Sequence, residues 1–555
     1  MKRLSEVVPA WLLPVVALVL LPNAIYFANP LDFGPPRLLL QAWAAAAALA
    51  AAMLLLLALP GRARRVVVIA IFWSALFLAV TDVVYPIRIG EVMDMGGAFL
   101  PTEYVEAIGV EAAIALGMAV LAVKVPFHVV RGAGTALVLF LLAWQAVYAG
   151  ARWREVQAEF HALATAPPAP AHPVAKANVY HLVFDSFSSY SFLAIAEAVG
   201  LEDFAGFTFY PHNRSNYLYT SVSRASFLTG ELFQDGELRH WMRREHHGGM
   251  FRELHEAGFT TWSYGPEHAD AVHTVTRGAL EPRAGAPLHT LLDFALLRLA
   301  PTGLQEEAYG NGRGPVTRLL GSDSRIAGLD WLPVSSLKLV ERLIADEEAR
   351  PARAQYVHAH AYLPHFPYRL DPECGFLKGS IYKAQAACSV RLMQRFIRAL
   401  KAQGKFDEAT IVIHADHGTW SDSPALAGRE ADAALFSPYS VYEVDYTSRA
   451  LLLIKPPRAP QRALQVSTRQ SQLVDLRPTL QALLGLPRSP GPGADLFAPD
   501  FPAGREAHVF PGFLQRDARG RFVAFGKRIR EGTWRHFSVT ADGRWTAHPD
   551  LLVKW

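Results

Sequence analysis

The chain has 555 residues, of which 51% are hydrophobic and only 19% charged, with a net charge of +4 at pH 7. These numbers exclude intrinsic disorder, collagen and coiled coil, and they argue against a wholly soluble globular protein. No Lys/Arg-rich block is present, so a nucleic-acid partner has no support, and two cysteines cannot build a disulfide scaffold or a cysteine-based zinc module.

The apolar surplus sits in the first 150 residues. Five runs there, Pro9–Ala28, Leu38–Leu59, Val66–Pro86, Ile108–Val125 and Gly132–Gly150, are each long enough to cross a hydrocarbon core of about 30 Å. Lys2 and Arg3 before the first run could open a cleavable signal peptide, but Pro22 and Asn23 make no small-residue cleavage site. The first run is therefore expected to stay as a membrane helix. Lys2, Arg3, Arg62, Arg64, Arg65, Lys124 and Arg131 flank alternate loops, whereas Ile87–Ala107 carries Glu91, Asp94, Glu103 and Glu106. By the positive-inside rule the N-terminus is cytoplasmic, and five spans deliver everything after Gly150 to the opposite face. In a bacterium that places the remainder outside the cytoplasmic (inner) membrane, in the periplasm or beyond the cell.

Residues 151–177 read as a juxtamembrane segment ending in a proline-rich linker, Thr165–Pro173. Residues 178–500 read as an α/β domain. Asn178–Asp185 is a β-branched strand followed by a helix over Phe187–Val199, and Ala409–Asp416 is a buried-type strand preceded by an amphipathic pattern over Ile381–Gln403. Tyr356–Tyr362 and Ala450–Lys455 are further strands, and Ser471–Leu484 is a helix. Strands alternating with helices imply a mainly parallel sheet covered on both faces, with sites at the carboxyl ends of its strands. Residues 501–555 read instead as a small antiparallel β appendage around an Asp542-Gly543 turn.

Three local clusters could carry chemistry. Asp185 ends a hydrophobic strand, where it is either a ligand or the N-cap of the next helix. Thr220-Ser-Val-Ser-Arg-Ala-Ser-Phe-Leu-Thr-Gly230 is a hydroxyl-dense helix start, functional or merely a cap. His414-Ala-Asp416-His417-Gly418 follows a strand, and its carboxylate and imidazole suit Zn²⁺ or Mn²⁺ ahead of Ca²⁺ or Mg²⁺. His414 stands two residues before Asp416, either facing the same site or as a buried structural histidine. His358 and His360 alternate on a strand beside Tyr362 and could touch substrate.

In this chain order, strand–Asp185, Thr220 and Asp416-His417-Gly418 resemble the alkaline phosphatase/sulfatase superfamily. The resemblance runs from about Asn178 to Leu496, includes Val474–Leu486 as the closing helix, and is weakest between Glu267 and Arg350. Five spans before such a domain resemble the membrane phosphoglycerol and phosphoethanolamine transferases, including the lipoteichoic acid synthases, whose histidine motif His365-Phe-Pro-Tyr368 is similar to. Aligning Arg224 with the sulfatase motif arginine puts Thr220 at the nucleophile. Oxidised threonine would be a ketone, so the formylglycine route is closed to it. Thr220 with Ser223 resembles the transferase branch, and Arg224 with Leu228-Thr-Gly230 the sulfatase branch.

The resemblance implies one divalent metal ion held by Asp185, Thr220, Asp416 and His417, with Thr220 as nucleophile and His365, Arg224 and His414 at the substrate. It leaves three readings. The first is a transferase moving a phosphoryl headgroup from a membrane lipid donor to an envelope glycan or lipid acceptor. The second is a hydrolase acting as a phosphodiesterase, phosphatase or sulfuric ester hydrolase, and the third a non-catalytic partner in envelope assembly. Cys374 and Cys388, on the oxidising side, either pair or remain buried thiols.

Overall fold

The structure is a computed structural model that describes residues 3–28, 36–84, 101–164, 177–242, 244, 249–265, 272–275, 288–309, 314–320, 331–350, 354–422, 435–437, 439–512, 514–516, 522–524 and 531–554. The proline-rich linker at 165–173, the loop at 29–35 and most of the acidic loop at 87–107 lie outside the described residues.

Among the described residues, five helices are long and apolar enough to cross a membrane: α1 (Leu4–Phe27), α2 (Arg37–Ala58), α3 (Gly61–Val84), α4 (Ala107–Lys124) and α5 (Phe127–Ala158). Their number is the one expected from the hydropathy. α1 changes pitch along its length, with a 3₁₀ segment at Val8–Trp11 and a π segment at Val16–Leu20. Pro9, Pro14 and Pro22 remove three amide donors from this helix, a sufficient cause of broken regularity. Polar groups among these helices pair with one another: Arg64 binds Glu6 at 2.7 Å, and Asn23 joins Gln145 and Trp43 at 2.9 Å each. Such pairing is what apolar surroundings demand.

The chain divides into two compact units, and the first is not simply the N-terminus. It contains residues 1–162 together with 282–329, whereas the reading from sequence kept 178–500 as one domain. Within the inserted segment, α6 (Leu288–Leu299) sets Leu291, Ala295 and Leu299 on one stripe, packed in the same cluster as Ile25, Leu39 and Phe72. Arg298 makes a two-point ion pair with Asp82 (2.9 and 2.6 Å), and Glu111 accepts both the amide and the hydroxyl of Thr302 (3.0 and 2.7 Å). An insertion from the second half of the chain is thus sewn to the long apolar helices.

The second unit is built on a mixed sheet of eight strands among the described residues. In chain order these are β1 (Val179–Phe184), β2 (Thr208–Phe209), β3 (Thr260–Tyr264), β4 (Val272–Val275), β5 (Gln355–Ala361), β6 (Thr410–His414), β7 (Leu452–Lys455) and β8 (Gln465–Val466), and their order across the sheet is β4-β3-β5-β1-β6-β7-β2-β8. The central run β3-β5-β1-β6 is parallel. β1, β5 and β6 are buried along their whole length and β3 only in part; burial on both faces is why β1 and β6 read as near-continuous apolar runs rather than alternating ones. The helix after β1, α7 (Ser189–Val199), is capped by Ser188, whose hydroxyl accepts from the Tyr190 amide at 3.2 Å. Asp185 is therefore not the cap and is left for other work. The helix after β2, α8 (Thr220–Thr229), starts at the predicted nucleophile and ends at Gly230 in the left-handed region. α9 (Tyr382–Ala402) covers the sheet with the stripe expected from its sequence. The predicted helix over Ser471–Leu484 is a short 3₁₀ turn at Leu473–Asp475 followed by α10 (Leu476–Leu484).

The tail forms the expected antiparallel structure. β9 (Ala507–Val509), β12 (Glu531–Val539) and β13 (Trp545–Lys554) make a three-stranded sheet in the order β13-β12-β9, and β10 (Leu514–Arg516) pairs with β11 (Phe522–Ala524). The sheet belongs to the second unit and is not a loose appendage. Phe537 and Val509 on one of its faces bury against Phe436, Val444 and Tyr446.

Candidate metal centre and nucleophile

Two adjacent parallel strands end side by side and deliver the acids. Asp185 follows β1, its amide still laddered to Ala361 at 3.0 Å. Asp416 follows β6 across the strand gap. Ser186, at φ +62°, turns the chain sharply after Asp185 and aims its amide at Asp416 Oδ1 (3.2 Å). The His417 amide donates to the same oxygen at 2.9 Å. Both amides use Oδ1, so Oδ2 is left buried without a hydrogen bond, as is Asp185 Oδ1.

His417 completes the group. Its Nδ1 lies 2.8 Å from the Gly418 carbonyl, which makes Nδ1 the protonated nitrogen and leaves Nε2 with the lone pair. Nε2 is 3.7 Å from both Asp185 Oδ1 and Asp416 Oδ2. One ligand atom from each of the three residues lies within 4.8 Å of the others. Buried carboxylate oxygens without partners are costly, and two of them facing an imidazole lone pair fit a divalent cation. Gly418 has no room for a side chain: a Cβ would lie 2.5 Å from the Arg449 carbonyl and 2.7 Å from that of Tyr446. The glycine of the Asp-His-Gly motif is thus required by close backbone approach.

Thr220 reaches the group from α8. Its Oγ1 lies 3.4 Å from Asp185 Oδ2, at the first residue of the helix, where the unsatisfied amides favour negative charge. Ser223, one turn on, has a different task. With Ser215 it donates to the Asp416 carbonyl (2.6 and 2.5 Å), fastening α8 to the Asp416 turn.

Around this centre the histidines separate into two sets. His360 Nε2 sits 3.5 Å from Asp185 Oδ2, buried and otherwise without a partner. His365 lies at the rim, its ring centre 6.4 Å from that of His417. Burial alone would raise the Asp185 carboxyl, but His365, His360 and His417 outweigh it and hold the group well below the usual carboxylate range. Asp185 is therefore an anion ready for a cation.

His414 belongs to the other set, which corrects its placement at the substrate. It is fully buried, with Nε2 2.6 Å from His181 Nε2 and its ring against Phe227, and burial pushes it down to about 3. β6 ends at His414, so the two-residue alternation does not carry through to Asp416. His358 is buried beside them, held neutral by burial first and then by His360, His414 and Arg224. Arg224 is half-buried on α8, one turn beyond Thr220. The functional residues that sequence left undecided or passed over are His360 and Ser186. The first is signalled only by alternation on β5, and the second by nothing, since a left-handed serine has no sequence mark.

Gln385 holds the His365 loop. Its amide donates to the carbonyls of Pro364, His365 and Pro367 (3.3, 2.8 and 3.3 Å), while its oxygen accepts from the amides of Arg369 and Leu370 (2.8 and 3.2 Å). Gln385→Leu keeps the volume and removes all five bonds. It is expected to cost about 1–3 kcal/mol in denaturant unfolding and to lower turnover through His365. Cys374 and Cys388 are bonded, tying this loop to α9. With the two cysteines 14 positions apart in sequence, the Cys374→Ser/Cys388→Ser variant should lose about 3 kcal/mol. Unfolding with and without reductant checks it.

No family model matches the chain, and no curated protein matches its sequence. Solved structures do show likeness to it. A phosphonate monoester hydrolase from Silicibacter pomeroyi is 15% identical, with 68% of this chain and 89% of that one covered and a TM-score of 0.39. The phosphonate monoester hydrolase of Agrobacterium radiobacter is 13% identical over 67% and 89%, at 0.40. A protein of the alkaline phosphatase superfamily from Vibrio parahaemolyticus is 13% identical over 69% and 81%, also at 0.40. At these identities and scores the likeness assigns neither activity nor substrate.

Proposed function

We propose that the protein is a membrane-anchored, metal-dependent phosphoester hydrolase that works outside the cytoplasmic membrane through a covalent intermediate on Thr220. One observation carries this reading: the buried, unpartnered oxygens of Asp185 and Asp416 converge with His417 Nε2 on the helix start that presents Thr220. Asp185, Asp416 and His417 would hold the cation with Thr220 beside it, and Zn²⁺ or Mn²⁺ suits this donor set. When bound, such a cation lowers the hydroxyl pKa and polarises the ester.

Thr220 Oγ, its proton lost to solvent, attacks phosphorus, forming an O–P bond as the ester oxygen leaves with its electron pair and is protonated from water. The helix start steadies the developing charge on Oγ. His365 and Arg224 supply donors for the non-bridging oxygens, where charge accumulates. Water then takes the phosphoryl group from Thr220. It is the smallest acceptor and asks for no residue beyond those already present. Threonine rules out formylglycine chemistry, which favours phosphorus over sulfur as the centre attacked.

Transfer is the second reading, and the five apolar helices favour it. A lipid headgroup donor lies at the bilayer surface, so anchoring brings donor and nucleophile together, with an envelope glycan or lipid as acceptor. Metal removal tests what the two readings share. Dialysis of the purified protein against chelator should abolish release of 4-nitrophenol from bis(4-nitrophenyl) phosphate, and Zn²⁺ or Mn²⁺ should restore it to the wild-type protein but not to Asp416→Asn. Activity that survives full metal removal would defeat the proposal.

A further inference from the structure

Three histidines of the C-terminal sheet stand on one face, one from each strand. His508 is on β9, His536 on β12 and His548 on β13. The register pairs Ser538 with His508 and His536 with His548, and the two-residue period of a strand puts His536 and Ser538 on the same side. An irregularity makes this possible. Between the pairs Trp534–Leu551 and His536–His548, β12 advances two residues while β13 advances three. Without that bulge Pro549 would face His536; with it an imidazole does.

The rings come close. His508 Nδ1 lies 3.0 Å from His536 Nε2, and the His536 and His548 rings stack at 4.5 Å. One nitrogen from each of the three lies within 4.8 Å of the others. Tetrahedral zinc at its usual Zn–N length sets nitrogens about 3.3 Å apart, so small side-chain shifts would suffice. A built hydrogen-bond relay fixes the tautomer of His548. Ser538 donates its hydroxyl proton to Glu506 and therefore accepts from His548 Nε2 at 2.7 Å, which leaves Nδ1 with the lone pair. An imidazole backed by a hydroxyl and a carboxylate is arranged as metal ligands are. All-imidazole donors suit Zn²⁺ and its neighbours in the first transition row and not Ca²⁺ or Mg²⁺.

The position suggests what a cation would hold. The His508 carbonyl accepts from Asn216 Nδ2 at 2.8 Å, the Phe510 amide donates to the Asn216 carbonyl at 2.8 Å, and Tyr217 stacks on Phe510 at 5.2 Å. Asn216 and Tyr217 belong to the loop that runs directly into Thr220. We propose that His508, His536 and His548 form a second, structural metal site for Zn²⁺ or a similar transition-metal cation, clamping β9, β12 and β13 where the loop before Thr220 is bound. The site is independent of whether the nucleophile's acceptor is water or an alcohol.

The test uses full-length protein in detergent carrying Asp185→Asn and Asp416→Asn, so that the first centre cannot hold a metal. After incubation with Zn²⁺ and desalting, elemental analysis should find one equivalent retained. Co²⁺ should give visible absorption bands of a tetrahedral site. Adding His536→Gln, or separately His548→Gln, should remove both signals, while Ser538→Ala should weaken Zn²⁺ binding about tenfold or more. Zn²⁺ should also raise the thermal midpoint of the parent and not of either glutamine variant, which separates lost binding from lost folding. No retained metal in the parent, or an equivalent that persists in both glutamine variants, would overturn the proposal.

Discussion

Replacing Thr220 with alanine is expected to lower turnover by at least about a thousandfold while changing stability by less than about 1 kcal/mol. The asymmetry follows from where the hydroxyl sits. Thr220 is half-buried at the first position of α8, and the contact of its Oγ1 with Asp185 is 3.4 Å long. Little folding energy rests on it, whereas the chemistry has no substitute for it. Ser223 cannot take over, because its hydroxyl is committed to the Asp416 carbonyl. Thr220→Ser retains the oxygen and should keep turnover within about tenfold of wild type. Steady-state rates on an aryl phosphodiester, with thermal unfolding of the same samples, check both parts. An alanine variant with near-wild-type turnover would remove Thr220 from the mechanism.

The largest expected loss of stability is at Arg214→Leu. Arg214 and Asp445 are buried together, with side chains 5% and 1% exposed and 2.6 Å apart. The same Nη1 donates to the Asp445 carbonyl (2.7 Å) and to Ser448 Oγ (2.9 Å), and the guanidinium lies over Trp545 at 5.3 Å. Leucine would take the buried guanidinium away from Asp445, and breaking a buried pair from one side costs about 3–5 kcal/mol. Catalysis should suffer as well. Arg214 opens the loop that leads to Thr220, and Asp445 lies beside the Tyr446–Arg449 turn that receives Gly418. Denaturant unfolding of Arg214→Leu and of Arg214→Leu/Asp445→Leu measures the term. The double variant should regain part of the loss, since the fully buried carboxylate then goes with its guanidinium and Arg449, a quarter exposed, can turn to solvent; a single-variant cost below about 1 kcal/mol would contradict the account.

How much of this was legible in the sequence differs by element. The five long apolar helices and the strands β1 and β6 were legible because both are predominantly apolar, and length alone separates about 20 residues from about six. Asp416-His417-Gly418 stood out as a motif, and the structure gives each member a reason: unpartnered oxygen, lone-pair nitrogen, and a glycine pressed between two carbonyls. The insertion around Leu288–Leu299 was not legible. Its leucines would suit any buried helix, and only tertiary packing reveals that their partners are Ile25, Leu39 and Phe72. His414 misled because alternation was carried past the end of its strand. His360 was left open because two histidines on β5 alternate identically and differ only in which one reaches Asp185. The histidine triad of the tail was invisible, since its members are spread over 41 positions and brought into line by one bulge.

The central claim is a covalent bond from Thr220 to phosphorus. Trypsin cuts after Arg214 and Arg224 and releases Ser215–Arg224, a short peptide that carries the nucleophile. Protein quenched in acid during turnover of bis(4-nitrophenyl) phosphate, digested and sequenced by tandem mass spectrometry should show a phosphoryl or arylphosphoryl mass on Thr220. The same mass on Ser221 or Ser223, or none on this peptide while Thr220→Ala turns over at the wild-type rate, would contradict the account.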